Sequence, residues 1–284
     1  MSVGDVRIHA VVGPQRDAPA LLLLHGYPQT HAMWHKVAPR LAERFNVVCA
    51  DLRGYGDSSK PEGGADHAAY SKRAMAADQV ALMKSLGHSR FLLAGHDRGA
   101  RVAHRLAVDH PDAVERIAVL DIAPTLAMYE QTTEAFARAY WHWFFLILPA
   151  PVPEKMIGAD PLFLLRAKMS TGGAGLKPFT SEAWSEYERC FTSEMIHASC
   201  EDYRAAASID LEHDRADRAA GRSVRVPLLA LWGAHGVVER CFKPLDEWRR
   251  VADDVRGSAL PAGHYLAEEV PDLVAAELER FFLE

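Results

Sequence analysis

One segment, residues 91–99, constrains the fold more strongly than any other part of the chain. An apolar run of strand length, Phe-Leu-Leu-Ala, leads directly into Gly95-His-Asp97-Arg-Gly99, and a helical pattern follows. The glycines permit a sharp turn that exposes the side chain at its centre. The pattern therefore predicts a strand, a tight turn and a helix, with Asp97 at the turn as a candidate nucleophile.

Apolar runs of strand length alternate with helical segments through much of the chain. The predicted strands are residues 20–24, 47–51, 91–95, 117–121, 226–232 and 258–260. Apolar residues at helical spacing predict helices over residues 75–86, 99–108 and 275–282. This alternation favours an α/β fold in which a mostly parallel central sheet is flanked by helices.

The strand pattern stops near residue 122 and resumes at residue 224. Between these points the sequence reads as aromatic-rich helical segments, broken at residues 149–153 and 171–175. We expect this insertion to form a helical cap (residues 122–222) over the carboxyl edge of the sheet. Residues 1–121 and 223–284 would then form the core, and ligands of such folds bind at that edge.

Composition excludes several functional classes. The 284 residues are 49% hydrophobic and 25% charged, which is typical of a globular protein. The net charge of -6 gives no basic surface for nucleic acid or an anionic membrane. The sequence shows neither a secretory signal pattern nor a long apolar run, so we expect a cytoplasmic protein without membrane attachment. Its four cysteines lack CxxC spacing, which favours reduced thiols over a metal site or disulfides.

The chemistry of a carboxylate nucleophile limits the classes of substrate that the protein could use. A serine that displaced a leaving group from an sp³ carbon would form an ether, whereas Asp97 would form an ester that water can hydrolyse. Asp97 therefore suits alkyl halides or epoxides. The alternative is a binding protein on this fold that has lost its nucleophile.

His264 is the candidate base for ester hydrolysis. It follows the last short strand and precedes a helix predicted to begin near Glu268. Imidazole titrates near neutral pH and can activate water. Asp121, at the end of a predicted strand, is the better candidate to orient His264, because Glu239 lies too far beyond its own strand. Asp121 could instead cap the first cap helix.

The loop after the first core strand is a candidate oxyanion site. His25-Gly-Tyr-Pro28 follows the apolar run at residues 20–24. The backbone N–H groups of Tyr27 and Arg98 are the predicted donors for ester hydrolysis.

Together these motifs resemble the fluoroacetate and haloacetate dehalogenases of the α/β-hydrolase superfamily, and the resemblance covers nearly the whole chain. The matching segments are residues 25–31, Trp34, residues 51–56, 95–101, 120–121, 142–143, 149–151 and 200–204.

The resemblance implies that Arg98 and Arg101 bind the substrate carboxylate. Their spacing is compatible with this role, since arginines three residues apart at a helix start share a face and can hold a planar anion. Alternatively, one or both could pair with acidic residues of the cap. The resemblance also implies a halide pocket formed by His142, Trp143 and Tyr203, each of which offers an N–H or O–H donor. Without it, Trp143 and Tyr203 would be interpreted as cap core.

The chain departs from the family in three places. Residues 171–175 are rich in glycine where family members carry a tryptophan, position 128 is methionine instead of an aromatic residue, and Arg53 stands where proline can occur. We expect the first two differences to alter the access channel and cap mobility. The third has no evident catalytic consequence.

The expected activity is hydrolysis of haloacetates, fluoroacetate or chloroacetate, to glycolate and halide through an Asp97 ester. The resemblance implies a homodimer, and we expect neither a metal nor an organic cofactor. An epoxide hydrolase is the main enzymatic alternative, with Tyr203 as proton donor, although the arginine pair would then have no anion to bind. A non-catalytic ligand-binding protein is the other alternative.

Overall fold

The computed structural model describes residues 1–172 and 174–284. The predicted break at residues 171–175 includes Gly173, which lies outside the described residues. The strands are β1 (Ser2–Val3), β2 (Val6–Arg7), β3 (Ala10–Val12), β4 (Ala20–Leu24), β5 (Asn46–Ala50), β6 (Phe91–His96), β7 (Val114–Leu120), β8 (Leu228–Gly233) and β9 (Val255–Leu260).

The main sheet has the strand order β3-β5-β4-β6-β7-β8-β9, and β1 pairs separately with β2. All neighbours are parallel except β3, which runs antiparallel to β5. Every residue of β4, β5 and β6 is buried. Strands of this kind are stable when helices cover both faces of the sheet. The predicted α/β fold is confirmed.

The sequence did not predict β3 or the small β1–β2 hairpin. Two of the three residues in β3 are exposed, so this edge strand carries no apolar run. The exposed residues of β9 at the opposite edge explain why only its last part was recognised.

The α-helices surround and cover this sheet. They are α1 (Ala38–Leu41), α2 (Lys72–Ser85), α3 (Arg98–Asp109), α4 (Thr125–Glu130), α5 (Glu134–Ala139), α6 (Trp141–Phe145), α7 (Val152–Gly158), α8 (Pro161–Met169), α9 (Ser181–Cys190), α10 (Ser193–Ala206), α11 (Ile209–Ala220), α12 (Val237–Cys241), α13 (Pro244–Trp248), α14 (Leu266–Glu269) and α15 (Pro271–Leu283). The described residues also form 3₁₀ turns at His31–Trp34, Ala68–Tyr70 and Ser170–Gly172.

Helices α4 to α11 lie between β7 and β8 and form the predicted helical cap. Side-chain caps start several of them: Thr133, Asp160, Thr180 and Thr192 each accept a hydrogen bond from a backbone N–H of the first turn. The division of the chain into domains at residues 122 and 222 stays a prediction. Within residues 1–172 and 174–284, no helix combines the length and apolar character needed to cross a bilayer.

Candidate active site

The turn between β6 and α3 holds Asp97 at its tip in a strained conformation, with φ 46° and ψ -114°. Two close backbone approaches make this turn dependent on glycine. A Cβ on Gly95 would lie 2.5 Å from the Gly99 carbonyl oxygen, and a Cβ on Gly99 would lie 2.4 Å from that of His25. Strain of this kind persists when the surrounding structure enforces it, and it is common at functional sites. The predicted strand, turn and helix are all present.

The Asp97 carboxylate is buried, and its Oδ1 accepts a hydrogen bond from the Tyr27 backbone N–H at 3.0 Å. Burial alone would raise the pKa of Asp97. The neighbouring imidazoles of His264 and His96 and the positive charges of Arg101 and Arg98 outweigh burial and hold this pKa well below its usual range. Asp97 is therefore ionised at neutral pH, as a nucleophile must be.

His264 and Asp121 meet at the same edge of the sheet. Nδ1 of His264 lies 2.6 Å from Asp121 Oδ2, while Asp121 Oδ1 accepts the Gly233 N–H at 2.9 Å. This second contact ties the end of β7 to the end of β8. Asp121 does not cap the first cap helix, because the N-cap residue of α4 is Pro124. Glu239 instead accepts a hydrogen bond from the Trp232 indole.

Two further side chains contact His264. The Tyr140 hydroxyl lies 3.4 Å from its Nδ1, and His96 Nε2 lies 2.8 Å from its carbonyl oxygen. Burial, reinforced by the neighbouring His264, lowers the pKa of His96 to about 3, so this ring is neutral. The neutral His96 ring therefore holds the His264 backbone next to Asp97.

Arg98 and Arg101 are both buried, but their partners differ. Arg98 donates from Nε and Nη2 to the Asp202 carboxylate, at 2.9 and 2.7 Å. Pairing with an acidic cap residue, left open by the sequence, thus occurs for Arg98. Arg101 donates to the Ala123 carbonyl and the Thr125 hydroxyl. In the described part of the chain, Nη1 of Arg98 and Nε of Arg101 have no hydrogen-bond partner.

The structure brings His142, Trp143 and Tyr203 together. The Tyr203 ring centroid lies 5.9 Å from that of His142 and 6.4 Å from that of Trp143. It also lies 5.4 Å from the ring of Tyr27, whose N–H binds Asp97. Across residues 1–172 and 174–284, the His142 Nδ1, Trp143 Nε1 and Tyr203 hydroxyl find no hydrogen-bond partner although they are buried. We call these three side chains the cap wall.

The protonation states of the cap wall are clear from its surroundings. Burial, and then the nearby Lys168 charge, lower the pKa of His142 well below its ordinary value, so the imidazole is neutral with one N–H. Burial raises the pKa of the Tyr203 phenol, which keeps its proton. Each of the three side chains therefore carries one donor hydrogen.

Lys168, at the end of α8, was not predicted as a site residue. Its ammonium is buried and lies 3.5 Å from the Tyr265 hydroxyl. Burial lowers its pKa to about 8, although the charges of Asp97 and Asp121 act in the opposite direction. No ion-pair partner for Lys168 occurs among the described residues. The site thus contains a buried ammonium that no carboxylate contacts.

Asp202 and Tyr140 were also missed. Asp202 adjoins Tyr203 in the segment that carries the family resemblance, but only the folded chain brings it to Arg98. No local sequence signal distinguishes Lys168 or Tyr140, because each reaches the site through the packing of the cap.

One group of side chains outside this site has distances compatible with a metal ion. His9, His31 and Asp51 each offer a ligand atom, and these atoms lie within 4.8 Å of one another. Asp51 already accepts the backbone N–H groups of His31 and Asp57, at 2.7 and 3.0 Å. His31 Nδ1 lies a further 2.9 Å from Asp51 Oδ1. Hydrogen bonds within the protein therefore account for the short distances in this group.

The fold and the geometry around Asp97 define the class of protein. Residues 19–238 match the α/β hydrolase fold family, so the chain belongs to that family. Its structure superposes on that of a candidate α/β hydrolase from Nostoc sp. PCC 7120 with a TM-score of 0.97, and the two are 51% identical over 99% of this chain and 96% of the other.

Sequence relatives identify the particular branch. The chain is 50% identical to a fluoroacetate dehalogenase from Burkholderia sp. over 99% of its own length and 92% of the relative's. It is 34% identical to a soluble epoxide hydrolase from Corynebacterium sp. strain C12 over 92% and 89% of the two lengths. The chain therefore belongs to the haloacetate dehalogenase family of the α/β-hydrolase superfamily, and it is a hydrolase.

Proposed function

We propose that this hydrolase converts haloacetates, fluoroacetate or chloroacetate, to glycolate and halide through an ester on Asp97. One observation carries the proposal: the nucleophile is surrounded by buried donors that lack a protein partner in the described part of the chain. These are Arg98 Nη1, Arg101 Nε and the polar atoms of the cap wall. A substrate with a carboxylate at one end and a halogen at the other would use both sets.

In the first step the carboxylate of the haloacetate binds to Arg98 and Arg101. An Asp97 carboxylate oxygen attacks the carbon that bears the halogen, and the carbon–halogen bond breaks as its electron pair leaves with the halide. The low pKa of Asp97 keeps this nucleophile ionised inside a buried site. The product is a carboxymethyl ester of Asp97.

The cap wall would act on the leaving halide. Fluoride is small and strongly basic, so hydrogen bonds that strengthen as the bond breaks stabilise the transition state more than the substrate. The neutral N–H and O–H groups of His142, Trp143 and Tyr203 are suited to this role. They have no competing acceptor among the described residues.

In the second step His264 takes a proton from a water molecule, and the hydroxide adds to the Asp97 ester carbonyl. The contact of 2.6 Å with Asp121 orients the imidazole and stabilises its cation. The Tyr27 N–H, with the Arg98 N–H at the first residue of α3, would bind the oxyanion. Glycolate then leaves with the proton that His264 returns. The second proton of the water molecule stays on the Asp97 carboxyl group, which releases it and becomes ionised again.

Epoxide hydrolysis is the second candidate, because of the identity to a soluble epoxide hydrolase. The buried phenols of Tyr140 and Tyr203 could protonate an epoxide oxygen. A neutral epoxide, however, would leave the Arg98 and Arg101 donors unsatisfied, and buried donors without partners cost about 1–3 kcal/mol each. Haloacetates therefore fit the site better.

The test compares fluoroacetate, chloroacetate and a small neutral epoxide on the purified enzyme, with Asp97→Asn as the control. Halide and glycolate are measured in parallel. We expect release of both from the haloacetates and none from the variant. Release from chloroacetate alone would restrict the proposal to that halogen, and turnover of the epoxide alone would favour the second candidate. A chain that turns over none of the three would fit the non-catalytic alternative.

We also propose that the enzyme is a homodimer that associates through the cap. Among the described residues, six of the eleven exposed large hydrophobic side chains fall between residues 141 and 163. They are Trp141, Leu148, Val152, Met156, Leu162 and Phe163. Such a concentration of exposed apolar side chains in one segment favours an interface there. Light scattering should give the mass of a dimer, and Met156→Glu combined with Phe163→Glu should give a monomer.

A further inference from the structure

The two arginines beside Asp97 differ in how their charges are compensated. Arg98 uses Nε and Nη2 on the Asp202 carboxylate, and Nη2 also donates to the Asp202 carbonyl oxygen at 3.0 Å. The guanidinium lies over the Tyr203 ring, 4.1 Å from its centroid. Arg98 is therefore fixed along one edge and across one face, and among the described residues only its Nη1 group has no partner and can bind a ligand.

Asp202 holds more than the arginine. Its carboxylate also accepts the Tyr55 hydroxyl at 2.6 Å and contacts the Lys72 ammonium. Lys72 lies a further 3.5 Å from Asp210 Oδ2. This buried group contains two cations, Arg98 and Lys72, and two acidic side chains, so with both carboxylates ionised it carries no net charge.

In the described part of the chain, the hydrogen-bond partners of Arg101 are all uncharged. These are the Ala123 carbonyl oxygen at 3.3 Å, the Thr125 hydroxyl at 2.9 Å and the Met128 sulfur at 3.2 Å. Its guanidinium lies 4.6 Å from the centroid of a Trp143 ring. Among residues 1–172 and 174–284, no carboxylate forms an ion pair with Arg101 within 4.0 Å, whereas Asp202 does so with Arg98 at 2.7 Å. Arg101 is thus a cation whose charge remains available to an incoming anion.

We infer that Asp202 is a positioning residue that gives the two arginines different roles in substrate binding. Arg101 supplies the charge that attracts the substrate carboxylate, while Asp202 neutralises Arg98 and turns it into a fixed donor that orients this carboxylate. Asp202 also precedes Tyr203 on α10, so the same ion pair fixes the turn that carries a cap-wall donor. The inference rests on the proposed function, because it assigns these roles toward a carboxylate substrate.

The isosteric variant Asp202→Asn removes the charge and two good acceptor contacts while keeping the side-chain shape. Arg98 then becomes a mobile, uncompensated cation. We expect the KM for chloroacetate to stay the same or fall, because the site gains positive charge. We expect kcat to fall about 10- to 100-fold, because misplacement of a bound substrate by an ångström has that effect. Arg101→Met should do the opposite and raise KM at least tenfold.

Asp217→Asn is the matched control. Asp217 is a buried cap residue that pairs with Arg105 on the same helix as Arg98, but it contacts neither Arg98 nor the cap wall. This variant should lower stability without separating kcat from KM. A purely structural role of Asp202 would make the two asparagine variants behave alike, and this result would overturn the inference. Unchanged kcat in Asp202→Asn would overturn it as well.

Two additional measurements distinguish a folding defect from a loss of function. If Asp202→Asn does not fold, Lys72→Met combined with Asp202→Asn removes one cation and one anion together and should show the same loss of kcat. Acetate binding, followed by calorimetry, needs no turnover: it should weaken at least tenfold in Arg101→Met and persist in Asp202→Asn. Acetate binding without haloacetate turnover would overturn the proposed reaction only. A wild-type enzyme that binds no acetate would overturn the carboxylate site and the inference together.

Discussion

The two halves of this active site satisfy their polar groups in different ways. In the core half, the Asp97 carboxylate accepts the Tyr27 N–H, and His264 pairs with Asp121 at 2.6 Å. In the cap half, the described structure provides no partner for the polar atoms of His142, Trp143 and Tyr203. Leaving a buried donor unpaired costs about 1–3 kcal/mol. The difference indicates that the protein preorganises the groups of the core half and leaves the donors of the cap wall for a ligand to satisfy.

The largest effect should come from replacing Asp121, the carboxylate that pairs with His264 in the core half. Asp121→Asn keeps the side-chain shape but lets an amide compete for the His264 Nδ1 hydrogen bond, so the imidazole loses the tautomer that activates water. We expect steady-state turnover to fall by roughly 10⁴-fold. The first step should survive, because Asp97 attacks without help from His264. Rapid-quench kinetics would show a burst of one halide per site. A first step slowed as much as the second would contradict the separation of roles.

A smaller, substrate-dependent effect should come from the cap half. Trp143→Phe and Tyr203→Phe each remove one donor and retain most of the aromatic surface. We expect kcat for fluoroacetate to fall about 10²-fold, as for loss of one oxyanion donor. The effect on chloroacetate should be roughly tenfold or less, because chloride is a weaker hydrogen-bond acceptor. Phe136→Leu, which alters an aromatic neighbour of Trp143 without removing a donor, is the control. Equal losses for the two halides would count against a role in halide binding.

Substitution of Lys168 should have a still smaller effect, which appears in the pH dependence of kcat/KM. Its pKa of about 8 means that the ammonium is charged below this pH and neutral above it. If its charge helps to attract the substrate anion, kcat/KM must fall as pH rises through about 8. The charged or titratable groups around it are Asp97, Asp121, His142, His96 and Tyr265.

The variants that test Lys168 differ in charge. Lys168→Met should lower kcat/KM about tenfold at neutral pH, the effect of a weakened charge interaction, and should lack the alkaline decline. Lys168→Arg should keep the activity and move the decline to higher pH, because arginine stays protonated. A decline that is identical in all three enzymes would assign it to a different group.

The fold and the core half of the site could be predicted because they depend on local patterns. Continuous apolar strands, the Gly-x-Asp-x-Gly turn and the position of His264 after the last strand are all visible in the sequence. The pairing of His264 with Asp121 follows from the strand order, since parallel strands end at one edge of the sheet. The residues of the cap wall were predicted only through family resemblance.

Asp202 and Lys168 could not be predicted because their roles depend on contacts between distant segments. Asp202 lies 104 positions from Arg98, and Lys168 lies 97 positions from Tyr265. An aspartate or lysine on an amphipathic helix usually faces solvent. Only the packing of α8 and α10 against the core buries these two charges.

The central claim is that Asp97 forms an ester that water then hydrolyses at its carbonyl carbon. Its most direct test is a single turnover of chloroacetate in heavy-oxygen water with enzyme in excess, followed by mass spectrometry of the peptide that contains Asp97 and of the glycolate. The ester mechanism predicts heavy oxygen in the Asp97 carboxylate and ordinary oxygen in the glycolate. Heavy oxygen in the glycolate and none in Asp97 would show that water displaces the halide directly, and it would contradict the account.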